Sequence, residues 1–367
     1  MTEKYLLDVI IAGLQGDSTK VELAALTLSR DLKKKDPEMS AKILDILSDY
    51  SFFGNKKLRG AKMAPPPVDK DSQLEMATII TPDLQQHGQP ILSDAIQAVT
   101  DRFIDERNHG ELLLKEGLRP SNSLLLTGPP GTGKTMLAKY LASALEKNLV
   151  MLDLSASVSS LLGKTGANIK RVLDYAKATS SVLLLDEFDA IAKRRDDATD
   201  LGEIKRVVNM LLMEMENWPI SSVLIATSNH PELLDKAVWR RFDHIFPMAL
   251  PNYDQRFRIL KAQFPHIELS RYEPILEKVA QLLEENSAAD ICRYSNNVKR
   301  RMLIKADTFI HSIVNEVGVF SLNKKSKGMV CLLAKEELGD AISVREIAAL
   351  VGLSSSGVQH HLSKHKS

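Results

Sequence analysis

The chain predicts an α/β fold, a parallel β-sheet flanked by helices, followed by an all-helical unit. Apolar runs at 123–127, 149–153, 182–185 and 223–226 are separated by helix-length segments. That is the pattern of buried parallel strands covered on both faces. The first run leads directly into a glycine-rich stretch, Gly128-Pro129-Pro130-Gly131-Thr132-Gly133-Lys134-Thr135, and then into a helical pattern starting at Met136. After Pro251 the strand patterns stop, and 255–264, 272–284 and 287–305 read as helices. The expected organisation is 1–50 helical, 51–90 linker, 91–251 α/β, 252–312 helical lid, and 313–367 tail.

Leu6, Leu7, Ile10, Ile11 and Leu14 share one helical face. Val21, Leu23, Leu26 and Leu28 suggest a second helix capped by Asp17 or Ser18. Ile43, Leu44, Ile46 and Leu47 suggest a third, entered through Asp36-Pro37 with proline in its first turn. Two readings stand side by side: a small adaptor domain, or a helical extension packed on the next domain, since fifty residues make a small core. From 51 to 90 the composition shifts to Gly54, Gly60, Pro65-Pro66-Pro67, Pro82, Gly88 and Pro90, with scattered lysines. This reads as a linker with one short ordered patch around 74–80.

The glycine-rich stretch is a strand–GxxxxGK[ST]–helix motif, the phosphate-binding loop. Its glycines let the backbone aim several N–H groups at one anion. Lys134 adds a point charge toward the β- and γ-phosphates, and the Thr135 hydroxyl is a magnesium ligand. The following helix directs the positive end of its dipole at the same place. Gly128, Pro129, Pro130, Gly131, Thr132, Gly133, Lys134, Thr135 and Met136 are therefore the candidate nucleotide-binding residues, with ATP and Mg²⁺ as cofactors. The run 182–185 ends in Asp186-Glu187. A carboxylate pair at that strand end places Asp186 beside the loop to hold Mg²⁺, and Glu187 to orient and deprotonate the attacking water.

The last apolar run continues through Thr227-Ser228-Asn229 into His230-Pro231-Glu232-Leu233-Leu234-Asp235-Lys236-Ala237-Val238-Trp239-Arg240-Arg241-Phe242-Asp243. Here the chain resembles the AAA ATPases, whose second region of homology has this pattern, and the resemblance spans about 91–305. It implies that Asn229 is the polar sensor positioning water with Glu187. It also implies that Arg240 and Arg241 are arginine fingers delivered to a neighbouring subunit's nucleotide. A fixed guanidinium suits the charge that phosphoryl transfer spreads over the equatorial oxygens; the bland alternative is a solvated helix end. Lys193-Arg194-Arg195, Arg206 with Val207 to Leu212, and Ser287-Ala288-Ala289-Asp290 follow the family pattern too. Many relatives read S-G-A-D at that last place, in a branch without a lid arginine, so Ala288 is a mild departure. Fingers acting across a boundary imply a homo-oligomeric ring, which in this family is a hexamer.

Ser160-Leu161-Leu162-Gly163-Lys164 falls where AAA unfoldases carry an aromatic–apolar–glycine pore loop, with Leu161 at the aromatic position. Leucine offers apolar area without an aromatic plate. The resemblance then implies a weaker grip or remodelling without threading; the plainer reading is helix core. In the tail, Ser343 with Glu346 forms a capping-box pattern, Gly352 ends that helix, and Ser354 caps another holding Val358 and Leu362. With a preceding helix over 327–338 this is helix-turn-helix spacing. Ser355, Ser356, Gln359 and His360 are expected to face outward, with Arg345, Lys364, Lys366, Lys324, Lys325 and Lys327 as nearby cations. The unit fits DNA, or a bundle used for protein contacts, because its cations are few.

The 367 residues allow two or three domains. Lys+Arg 48 against Asp+Glu 47 leaves a net charge of +1, so bulk electrostatics point to neither nucleic acid nor membrane. Cys292 and Cys331 are the only cysteines, which suits a reducing cytoplasm. No run approaches the roughly 18 apolar residues of a membrane span. The expectation is a cytoplasmic ring ATPase that remodels or regulates a macromolecular partner. Its architecture resembles the bacterial AAA ATPases paired with a subtilisin-like serine protease in phage defence. The competing expectations are a DNA-directed ATPase helping transposition or replication, and a scaffold that binds ATP to assemble.

Overall fold

Residues 7–11, 13, 18–33, 35–48, 67, 76–83, 88–155, 165–190, 201–265, 269–305, 307–319 and 324–363 are described by a computed structural model. The Leu161 loop, Lys193 to Arg195, Lys364, Lys366 and most of the expected linker lie outside those residues. The chain divides into two units. One comprises Met1–Pro90, Asp94–Gly128 and Lys134–Met248; the other comprises Ile91–Ser93, Pro129–Gly133 and Ala249–Ser367.

In the first unit residues 7–11 are helical, as expected for the first apolar face, and α1 (Ser18–Leu32) and α2 (Pro37–Ser48) follow. The Asp36 side chain accepts from the Met39 N–H at 3.0 Å, which caps α2 just ahead of its first-turn proline. The Ser29 and Ser40 hydroxyls lie 3.0 Å apart and pin the two helices together. Ala25, Leu26, Leu44 and Leu47 share one apolar cluster with Leu114 and Ile220. Arg30 Nε adds a 2.8 Å bond to the Gly117 carbonyl. These helices thus pack on the α/β unit at α4 (Gly110–Lys115), the helix that follows α3 (Asp94–Asn108).

The sheet contains β1 (Thr78–Ile80), β2 (Ser123–Thr127), β3 (Leu149–Asp153), β4 (Val182–Asp186), β5 (Val223–Ser228) and β6 (His244–Pro247), in the order β1-β3-β4-β5-β2-β6. The four runs read from the sequence pair in parallel, as expected. Two strands were not foreseen. β1 runs antiparallel along β3 within the short ordered patch expected around 74–80, where a strand was not specified. Its β-branched Thr78, Ile79 and Ile80 find a pairing edge that composition alone does not reveal. β6 extends the other side beside β2. Along the strands, Leu125, Val150, Leu152, Leu183, Leu185, Leu224 and Ala226 alternate onto one face. There they meet Val172 and Leu173 of α6 (Thr165–Ala178) and Val208 and Leu211 of α7 (Leu201–Glu216). α5 (Lys134–Ala144) buries Leu137, Ala138 and Leu141.

The second unit is helical beyond Ala249: α9 (Tyr253–Gln263), α10 (Leu269–Leu282), α11 (Ala288–Lys305), α12 (Phe309–Val319), α13 (Lys324–Leu338), α14 (Val344–Val351) and α15 (Ser355–Ser363). The short α8 (Lys236–Trp239) belongs to the first unit. The buried Arg256 ties α9 to its neighbours, donating to the Ala280 carbonyl at 2.6 Å and the Pro251 carbonyl at 2.8 Å. The capping box of Ser343 and Glu346 is present, Gly352 adopts φ 63°, and Val358 is buried while Gln359 and His360 are exposed.

The boundary expected between 312 and 313 falls inside α12. Ile313, Val314, Val330, Cys331, Ile347, Val351 and Val358 form one core with Ile259, Leu276, Ile291 and Val298. The lid and the tail are therefore a single packed unit. The apolar faces of α9 to α11 extend onto α12 to α15, and helical periodicity marks a buried face without saying which partner covers it. Among the described residues, no helix is long and apolar enough to cross a membrane.

Candidate active site

Parallel register brings the carboxyl ends of β2, β4 and β5 to one level: Thr127 pairs with Ser228, and Leu185 with Ala226. The next residue of β4, Asp186, therefore meets the next residue of β5, Thr227, and their side chains form a short hydrogen bond. Residues beyond these strand ends converge, as is usual where open α/β sheets bind ligands.

The phosphate loop is anchored at its start from two sides. Gly128 donates from its N–H to the Ser228 carbonyl at 3.2 Å, while Met248 N–H binds the Thr127 carbonyl at 2.7 Å. Gly128 sits at φ 138°, and a Cβ there would lie 1.9 Å from the Met248 carbonyl oxygen, so only glycine fits. Gly131 sits at φ 78°, where a Cβ would lie 2.5 Å from Ser287 Oγ. Its carbonyl accepts from the Ala289 N–H at 3.0 Å, so in the helical unit the loop tip rests on the start of α11. Thr132 Oγ1 closes the tip onto the Pro129 carbonyl at 2.9 Å. Pro129, Pro130 and Met136 are exposed, and Gly133 is half-buried at φ 99°.

Lys134 is only 7% exposed and donates to the Gly128 carbonyl at 2.7 Å. Burial lowers its pKa, and the charges of Asp186 and Asp189 oppose that shift. Thr135 Oγ1 lies 3.4 Å from Asp186 Oδ2, bringing a hydroxyl and a carboxylate together. Hard oxygen donors of this kind suit Mg²⁺, which takes few protein ligands and completes its shell with phosphate and water. Among the described residues, no group of three or more His, Cys, Asp or Glu gathers as a separate metal cluster. The donor set fits ATP with Mg²⁺, with Lys134 for phosphate and Thr135 and Asp186 for the metal.

Glu187 is exposed and has φ 55°, uncommon for a residue with a side chain. Asn229, on the neighbouring strand end, donates from its N–H to Asp189 Oδ1 at 3.1 Å. Asp189 and Thr227 were missed by the sequence reading. Asp189 is recognisable only as one more acid in Asp186-Glu187-Phe188-Asp189, and Thr227 only as a strand end.

The arginine-bearing segment is fixed from two sides. Asp235 caps α8 by accepting from the Ala237 N–H at 2.9 Å. Asp243 Oδ2 accepts from the N–H of Asn122 at 2.8 Å, the N–H of Ser123 at 3.0 Å and Ser123 Oγ at 2.9 Å. Val238 and Phe242 are buried between these anchors. Arg240 is exposed, and Arg241 forms an ion pair with Glu216 at the end of α7.

Fold and site together define a P-loop nucleotide-binding domain, with its phosphate loop after β2 and its acidic pair at the end of β4. Residues 124–250 match the family model for the ATPase family associated with various cellular activities, AAA. The chain is 34% identical over 215 residues to an uncharacterized AAA family ATPase, y4kL, of Sinorhizobium fredii, covering 59% of this chain and 64% of that protein. It is 32% identical over 266 residues to the proteasome-activating nucleotidase of Thermococcus onnurineus, covering 69% and 66%. Under two thirds of each relative's length is thus spanned. The crystal structure of the FIGL-1 AAA domain aligns with TM-score 0.55 at 17% identity, covering 76% of this chain and 97% of that one, and so shares its fold.

Proposed function

We propose that this protein is a ring-forming ATPase that couples ATP hydrolysis to remodelling of a macromolecular partner. The observation that carries the reading is the convergence of Lys134, Thr135, Asp186, Glu187 and Asn229 at the carboxyl ends of adjacent strands. Lys134 neutralises the β- and γ-phosphates, and Thr135 and Asp186 hold the metal. Glu187 takes the proton of the attacking water, and Asn229 orients that water. Mg²⁺, when bound, screens the phosphate charge and polarises the bond that breaks. Arg240 and Arg241 act on the neighbouring subunit's nucleotide. The name proteasome-activating nucleotidase carried by several relatives supports a protein partner. The combination of amino-terminal helices, one AAA domain and carboxyl-terminal helices extends the proposal to a subtilisin-like protease in phage defence.

Glu187→Gln is expected to bind ATP while turning over at least about a hundredfold slower, since the base is lost and the shape kept. Arg241→Ala mixed with Lys134→Ala is expected to regain part of the turnover each lacks alone, because one variant supplies fingers and the other an intact site. Turnover per subunit that is independent of protein concentration, with no larger species in ATP, contradicts a shared site.

A second reading is favoured by the exposed Ser355, Ser356, Gln359 and His360 on α15, with Gly352 turning the chain between α14 and α15. In it, these helices address the ATPase to DNA. Duplex binding by the full chain, titrated across salt and compared with Gln359→Ala, separates the two readings: sequence-dependent loss supports DNA, and no binding at low salt supports protein contacts.

A further inference from the structure

We propose that Thr227 is a positioning residue for ATP hydrolysis, setting the orientation of both Asp186 and Glu187 through one hydroxyl. The inference rests on the reading of those carboxylates as the metal-holding and water-activating pair. Thr227 lies at the end of β5 and is 1% exposed. Its Oγ1 donates to Asp186 Oδ1 in a short hydrogen bond and accepts from the Glu187 N–H at 3.1 Å. A hydroxyl has one proton and two lone pairs, so both bonds form at once. Its carbonyl then accepts from the Phe188 N–H at 2.8 Å. Three successive residues of the acidic segment, Asp186, Glu187 and Phe188, are thus held by one residue of the neighbouring strand.

Two consequences follow. Asp186 has one carboxylate oxygen committed to Thr227, which turns the other toward Thr135 Oγ1 at 3.4 Å. The metal-facing oxygen is selected by the bond on its partner oxygen. Glu187, meanwhile, holds its left-handed backbone with its N–H shared between Thr227 Oγ1 at 3.1 Å and Asp186 Oδ1 at 3.2 Å, and the Phe188 bond secures the next peptide. That backbone determines the direction in which the Glu187 side chain leaves the strand end. Without the hydroxyl, Asp186 Oδ1 keeps only the 3.2 Å bond from the Glu187 N–H of its own strand end, and that N–H loses its partner on β5.

The test uses the full chain and a fluorescent ATP analogue whose binding is titrated with Mg²⁺, alongside steady-state turnover. Thr227→Val keeps the buried shape and the branching but removes the hydroxyl. It is expected to raise the Mg²⁺ concentration needed for analogue binding about tenfold, the scale of losing a hydrogen bond to a charged group. kcat is expected to fall by about tenfold or more, with KM for ATP at saturating Mg²⁺ changed much less. Thr227→Ser restores both to within about threefold, because the hydroxyl returns. In an Asp186→Asn background, Thr227→Val causes little further shift in the Mg²⁺ midpoint, since its partner charge is already gone.

If Thr227→Val binds and turns over like the parent while Glu187→Gln is slow, the positioning role is wrong and the site stands. If Glu187→Gln also turns over like the parent, the site assignment itself fails. Should Thr227→Val melt before the assay temperature, Thr227→Cys decides. Its weak S–H donor places the Mg²⁺ midpoint above that of Thr227→Ser, and equal midpoints overturn the proposal.

Discussion

Removing residues 340–367 tests whether the carboxyl-terminal helices are an appendage or part of the lid. As a separate helix-turn-helix they would be expendable for basal ATP turnover; the packing says otherwise. The truncation takes away Ile342, Ile347, Val351 and Val358, all at most 7% exposed. At about 1.5–3 kcal/mol for each fully buried aliphatic side chain, the loss is roughly 6–12 kcal/mol. That rivals the roughly 5–15 kcal/mol by which a whole domain is stable. It also uncovers Ile313, Val314, Val330 and Cys331, each fully buried in the intact unit. The helical unit should therefore lose its cooperative transition, and basal turnover should fall, because the loop tip at Gly131 rests on α11 of the same unit.

Cys331 reports this directly, since Cys292 is the only other cysteine and can be replaced by serine. In the Cys292→Ser chain, burial keeps the Cys331 thiol above its ordinary pKa and out of reach of a thiol reagent. Truncation should convert slow labelling into labelling as fast as in denaturant. Ile347→Ala in the full chain should give a partial version, a loss of about 2–5 kcal/mol in urea unfolding. A truncated chain with Cys331 still protected, an unchanged urea midpoint and parental ATP turnover would refute a shared core.

Two further perturbations test other parts of the fold. Gly128→Ala should destabilise the first unit by roughly 3 kcal/mol or more, given the positive φ and the backbone clash with Met248; an unshifted urea midpoint contradicts the loop geometry. Lys147, which donates to the Ser180 and Ser221 carbonyls at 3.0 and 2.9 Å, has its pKa lowered by burial from 10.5 to about 8. Between those values the unfolded chain binds the proton and the folded one does not, so stability rises with pH through that window. Parental stability should climb relative to Lys147→Met by up to about 3 kcal/mol between pH 8 and 10.5; parallel curves would show that Lys147 is not titrating there.

Much of the nucleotide machinery was legible in the amino-acid sequence because its causes are local. The glycine spacing of 128–133, the lysine and threonine that follow, and the apolar run ending in Asp186-Glu187 need only the chain's own neighbours to be interpreted. The four central strands were legible for a related reason: strands buried on both faces must be apolar throughout. Tertiary structure decided what depends on register and on distant partners. Thr227 reaches Asp186 because β4 and β5 pair in parallel with Leu185 beside Ala226, and a residue 41 positions away in the chain carries no mark of that pairing. Asp243 grips Asn122 and Ser123, β1 finds the free edge of β3, and the faces of α14 and α15 close onto the lid. An amphipathic pattern shows that a face must be covered; which surface covers it is settled only by where the chain returns in space.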